Sequence, residues 1–66
     1  MDQLDHYRAA KLLISQYGED AKAHAMRQVL RMRTAKDFVG EWAWMGVFDA
    51  VLELEANGPG SGQTVH

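Results

Sequence analysis

The stretch from Phe38 to Ala56, FVGEWAWMGVFDAVLELEA, is apolar on almost every side of the helix that it predicts. Two tryptophans, two phenylalanines and a methionine fall within about three helical turns. A surface helix of a small domain normally carries one apolar stripe and one polar face. A helix with two apolar stripes needs two packing partners, so this segment predicts a helical protein that completes its core by self-association.

The length and composition of the chain support the same interpretation. With 66 residues the chain forms one domain at most, and a chain this short buries only about 60% of the surface it exposes when unfolded. Such small domains usually gain stability from disulfides, a metal or a partner subunit. The chain has no cysteine, which excludes disulfides and thiolate metal sites. Oligomerisation is the remaining source of stability.

Charge and hydropathy predict a soluble, cytoplasmic protein. Hydrophobic residues make up 47% and charged residues 24%, as in ordinary globular domains. The net charge of -2 disfavours nonspecific binding to nucleic acid. The N-terminal sequence MDQLDHYR lacks the basic start and apolar run of a secretory signal. Glu41 and Asp49 interrupt the best candidate for a membrane span, so no membrane partner is expected.

Hydrophobic periodicity predicts three helices. The first runs from about Gln3 to Tyr17 and stops at Gly18, because glycine accepts the left-handed conformation common after a helix end. The second runs from about Asp20 to Lys36, with the Asp20 carboxylate as N-cap. The residues expected to face the core are Leu4, Tyr7, Ala10, Leu13, Ile14 and Tyr17 in the first helix, and Ala21, Ala25, Val29 and Met32 in the second, where Met26 and Leu30 widen the apolar strip.

The third helix is predicted to begin near Asp37, which is a good N-cap, and to continue to about Ala56. Its apolar positions fall on two arcs, one assigned to the protomer core and the other to a subunit interface. Periodicity alone does not decide between this assignment and its reverse. The core arc contains Val39, Ala43, Val47, Ala50, Val51 and Leu54, with Trp44 at its border; the interface arc contains Phe38, Trp42, Met45, Phe48 and Leu52.

The C-terminal sequence NGPGSGQTVH predicts a flexible tail. Asn57 and Gly58 are typical of a helix end, and Pro59 prevents the helix from resuming. The glycines and serine that follow offer no apolar surface to offset the entropy of ordering. The predicted organisation is therefore a three-helix domain over residues 1–56 and a flexible tail over residues 57–66.

Short motifs in the chain resemble a known group of sequences. Residues 18–21 match a G-[DE]-D-A element, and residues 37–44 fit a D-x-x-G-x-x-x-W pattern. In this the chain is similar to short, uncharacterised alphaproteobacterial proteins, over about Leu12 to Leu54. The resemblance implies a small bacterial helical protein and no particular activity. Lys36 stands where that group has glycine, which predicts that the second helix runs farther here.

The second helix is basic, which raises the alternative of a DNA-binding regulator. Its candidate contacts are Arg27, Arg31 and Arg33. In a helix-turn-helix the third helix would be the recognition helix, and its acidic side chains would be repelled by the DNA phosphates. We therefore expect the basic helix to face the acidic third helix instead. The solvent-facing residues of the second helix are expected to be His24, Arg27, Gln28 and Arg31.

No residue pattern in the sequence supports catalysis, a metal or a cofactor. His6, His24 and His66 are far apart, and Asp20 with His24 at i, i+4 supplies too few ligands for a metal site. The C-terminal sequence GPGSGQT resembles a glycine-rich phosphate-binding loop, but it has Gln63 where such a loop requires lysine, so it does not match.

Taken together, these features predict an all-α, three-helix protein completed as a homodimeric helical bundle with two-fold symmetry. We expect it to be non-enzymatic, acting in protein–protein interaction or as a small regulatory accessory protein. An alternative occupant of the aromatic stripe is a helical peptide or another protein.

Overall fold

A computed structural model describes residues 3–57 of the chain, and within this range the secondary structure is entirely helical. The prediction of an all-α fold is confirmed. The predicted tail, 57–66, lies outside the described residues except for its first residue, which ends the last helix. Helix α1 spans Gln3–Tyr17, one turn of 3-10 helix spans Gly18–Asp20, α2 spans Ala21–Thr34, and α3 spans Phe38–Asn57.

The corner between α1 and α2 depends on Gly18, whose φ of +58° lies in the left-handed region. Gly18 therefore ends α1 as predicted. Asp20 does occupy the N-cap position of α2, but its side chain makes no capping hydrogen bond, so the predicted carboxylate cap is wrong. The reason is the 3-10 turn: it gives Asp20 a helical backbone, whereas a capping side chain needs an extended one.

A Schellman motif ends α2 at Thr34. The Lys36 N–H donates to the Arg33 carbonyl at 3.0 Å, and the Asp37 N–H donates to the Met32 carbonyl at 2.8 Å. Lys36 itself adopts a left-handed φ of +61°. The expectation that lysine at this position would lengthen α2 is wrong, because Lys36 takes the conformation that glycine usually supplies.

Helix α3 starts with the predicted side-chain cap. The Gly40 N–H donates to Asp37 Oδ1 at 2.9 Å, and the Glu41 N–H donates to the Asp37 carbonyl at 2.9 Å. A Cβ atom at Gly40 would lie 2.7 Å from Asp37 Oδ2 and 2.8 Å from Met32 Sδ. Gly40 thus leaves room for the Asp37 cap and for the Met32 side chain at the end of α2.

The core lies where the three helices meet, and it is built from small side chains. The largest side chains that are fully buried are Val29 and Val51. Small residues allow helix backbones to approach closely; Leu13 is buried with them, and the aromatic side chains pack around the edge. The buried residues are Ala10, Leu13, Ala21, Ala25, Val29, Val47, Ala50 and Val51; the half-buried residues packed around them include Tyr7, Ile14, Trp44, Phe48 and Leu54.

His24 joins the corner of α1 and α2 to α3. Its ring stacks on Tyr17, with centroids 4.4 Å apart, and meets Trp44 edge-on at 6.2 Å. The prediction that His24 faces solvent is wrong, because the turn at Gly18 brings Tyr17 back over α2. Gln28, also expected to face solvent, is half-buried.

The left-handed Lys36 generates a stability prediction. An L-residue in this conformation costs about 1–2 kcal/mol, which glycine avoids at some cost in unfolded-chain entropy. Lys36→Gly should therefore raise the free energy of unfolding by roughly 0.5–1 kcal/mol. Urea denaturation followed by circular dichroism, at one fixed protein concentration, measures this. Lys36→Ala keeps the Cβ atom and is the control; an equal gain in both variants would show that lost charge, not backbone strain, is responsible.

Candidate interaction surface

An exposed apolar surface covers the N-terminal half of α3. Val39 is 83% exposed, Trp42 78% and Phe38 66%, and Met45 lies beside them at 38%. The largest contiguous apolar patch on a small protein is often a binding site. We call these four residues the Trp42 surface.

The structure places most of the predicted interface residues on this side of α3. Phe38, Trp42 and Met45 belong to the Trp42 surface, and Leu52, 38% exposed, continues it two turns along the helix. Phe48 differs because it is half-buried and packs against the core. Phe48 lies one turn after Trp44, which also packs against the core, so the two rings lie next to each other at the edge of the core.

The predicted core is wrong at Val39. The helical arc assigned it to the interior, but among the described residues it is the most exposed of the large apolar side chains. The close contact of α1 with α3 lies at Gly46, two turns beyond Val39. Val39 lies in the first turn of α3, away from this contact.

His6 of α1 and Gly46 of α3 are in direct contact. A Cβ atom on Gly46 would overlap the imidazole ring, so only glycine permits this approach. The ring is half-buried, and its Nε2 is buried without a hydrogen-bond partner among the described residues. Gly46 is itself a sequence signal for such a contact, because glycine inside a helix costs about 1 kcal/mol relative to alanine and usually has a packing reason.

Two grooves lie on either side of Trp42. The first, which we call the His6 groove, has a volume of about 560 Å³ and is lined by His6, Phe38, Val39, Trp42 and Ala43. The second runs along α3, has a volume of about 520 Å³, and is lined by Phe38, Glu41, Trp42, Met45, Gly46 and Asp49. Because Trp42 lines both and is largely exposed, its indole forms a ridge between them.

Two of the acidic side chains of α3 are engaged within the protomer. Arg33 Nε donates to Glu41 Oε2 at 2.7 Å, and the Tyr7 hydroxyl donates to the Glu53 carboxylate. The Arg33–Glu41 pair is the contact expected between the basic and acidic helices. Of the three candidate nucleic-acid contacts, Arg33 is thus directed toward α3, while Arg27 and Arg31, one turn apart, are exposed on another side of α2.

The chain matches no family model, no curated protein and no solved structure. Within residues 3–57, no group of three or more histidine, aspartate or glutamate side chains could hold a metal ion. None of the helices in that range is both long enough and apolar enough to cross a membrane.

The contact of His6 with Gly46 predicts energetic coupling between these two residues. In a His6→Ala background, Gly46→Ala should stabilise the protein by about 1 kcal/mol, because alanine is the better helix former. In the parent, the same change must displace the imidazole, which should cancel or reverse that gain.

A double-mutant cycle, measured by urea denaturation at constant protein concentration, gives the coupling as the difference between the two effects. We expect at least about 1 kcal/mol. An equal gain in the free energy of unfolding from Gly46→Ala in both backgrounds would contradict the direct contact between His6 and Gly46.

Proposed function

We propose that this protein is a non-enzymatic interaction protein that forms a homodimer through the Trp42 surface and acts in a small regulatory or accessory role. The observation that carries the proposal is that Trp42 is 78% exposed and that its neighbours on the same surface, Phe38 and Val39, are exposed as well. Tryptophan supplies a large apolar area and is enriched at the centre of protein interfaces. An indole left in water beside two other large apolar side chains gains most by being covered.

The area of the surface suits a dimer. Taking about 150–250 Å² for an aromatic side chain, the Trp42 surface exposes roughly 500 Å² of side chain per copy. Two copies would bury roughly 1,000 Å², which is the lower limit for a specific interface. An interface of this area supports a reversible dimer, which forms and dissociates as the protein concentration changes.

The charges around the surface also favour a second copy of the chain. The Trp42 surface itself has no ionisable side chain, so two copies meet there without burying a charge. Glu41 at its border is paired with Arg33, which reduces repulsion between like surfaces. A net charge of only -2 adds little further repulsion between whole molecules.

Sedimentation equilibrium across a dilution series tests this proposal. The parent should change from monomer to dimer as concentration rises. Trp42→Ala should weaken dimerisation by at least about 2 kcal/mol, as expected for a central interface tryptophan. Its helix content should be unchanged, because the side chain contributes little to the protomer core.

Leu30→Ala is the matched control for this experiment. Leu30 is a large apolar side chain on α2 that is 48% exposed and does not belong to the Trp42 surface. Its removal should leave the dimer intact. A parent protein that stays monomeric at every concentration would contradict the proposed self-association, and a Trp42→Ala variant that dimerises like the parent would remove Trp42 from the interface.

A further inference from the structure

We infer that the two copies join by reciprocal insertion, in which Trp42 of each copy enters the His6 groove of the other. This inference rests on the proposed homodimer and specifies its geometry. It also assigns a binding role to Val39 and His6, neither of which belongs to the predicted interface arc.

The shape of the surface supports this arrangement. A two-fold interface must be complementary to itself, since the same patch is presented by both copies. The Trp42 ridge and the His6 groove lie side by side on one face of α3. A two-fold axis passing between them places each ridge opposite the other copy's groove, so both indoles are buried by one symmetric contact.

The chemistry of the groove suits an indole. Phe38, Val39 and Ala43 supply apolar walls, and the groove has one polar side chain, that of His6. Apolar walls of this kind contact the faces of an indole ring and exclude water from them. The groove therefore supplies the apolar contact that an exposed tryptophan side chain lacks.

A different dimer would pair the α3 helices along the second groove, through Met45 and Leu52. Val39 distinguishes the two arrangements because it lines only the His6 groove, whereas Leu52 lies two turns away from that groove. Val39→Asp blocks the groove with a charge. It should not disturb the fold, because Val39 is 83% exposed and an acidic residue is favourable in the first turn of a helix.

The experiment mixes two variants that are each unable to dimerise. Trp42→Ala has no ridge and keeps four of the five residues that line the groove, and Val39→Asp has a ridge and a blocked groove. In the mixture, Trp42 of the second variant can enter the groove of the first, so one of the two contacts is restored. Sedimentation velocity, with a fluorescent label on one variant, detects the mixed dimer. Leu52→Lys is the control that leaves both groove and ridge intact.

Reciprocal insertion predicts monomers from each variant alone, a mixed dimer from the two together, and a dimer from Leu52→Lys. If Val39→Asp dimerises like the parent while Leu52→Lys does not, the inserted geometry is wrong and the homodimer stands. If both single variants are monomeric and their mixture stays monomeric at the highest concentrations attainable, reciprocal insertion is also overturned. A monomeric parent would overturn the proposed function itself.

Discussion

Close packing of small side chains at the junction of the three helices is the constraint on which the rest of the structure depends. Ala10 of α1, Ala21 and Ala25 of α2, and Ala50 of α3 are all buried there. Their small side chains allow the helix backbones to approach closely, and the rings of Tyr7, Trp44 and Phe48 pack against this cluster without being fully buried. Buried apolar area contributes roughly 25 cal/mol per Å², so a core made mostly of alanines and valines stabilises a protomer only modestly.

The same constraint decides where the large side chains lie. Trp44 and Phe48 fit only at the margin of the core, and Phe38 and Trp42 lie outside it. The chain thus holds much of its apolar area in side chains that its own fold does not cover. A second copy would bury that area without altering the packing of the protomer. The small side chains in the core and the large ones outside it therefore account both for a protomer of modest stability and for its exposed aromatic surface.

Local signals in the sequence predicted the local structure well. Helical periodicity, Gly18 as the end of α1 and Asp37 as the cap of α3 depend on a few neighbouring residues, and the structure has all of them. Some of the wrong predictions depend on distant parts of the chain. The exposure of Val39 and the place of His6 in the groove both depend on how α1 packs against α3, which periodicity cannot give. The missing Asp20 cap has a local cause, the 3-10 turn. Lys36 is also a local case, in which the backbone hydrogen bonds of the Schellman motif accompany a conformation that lysine disfavours.

The most direct test of this account is the solvent accessibility of Trp42 as a function of concentration. In a Trp44→Phe variant, Trp42 is the only indole, so acrylamide quenching of its fluorescence reports on that side chain alone. The account predicts strong quenching in dilute solution and progressive protection, with a blue-shifted emission, as concentration rises. Quenching that stays equally strong at every concentration would contradict it, because the indole would then remain in water without a second copy to cover it.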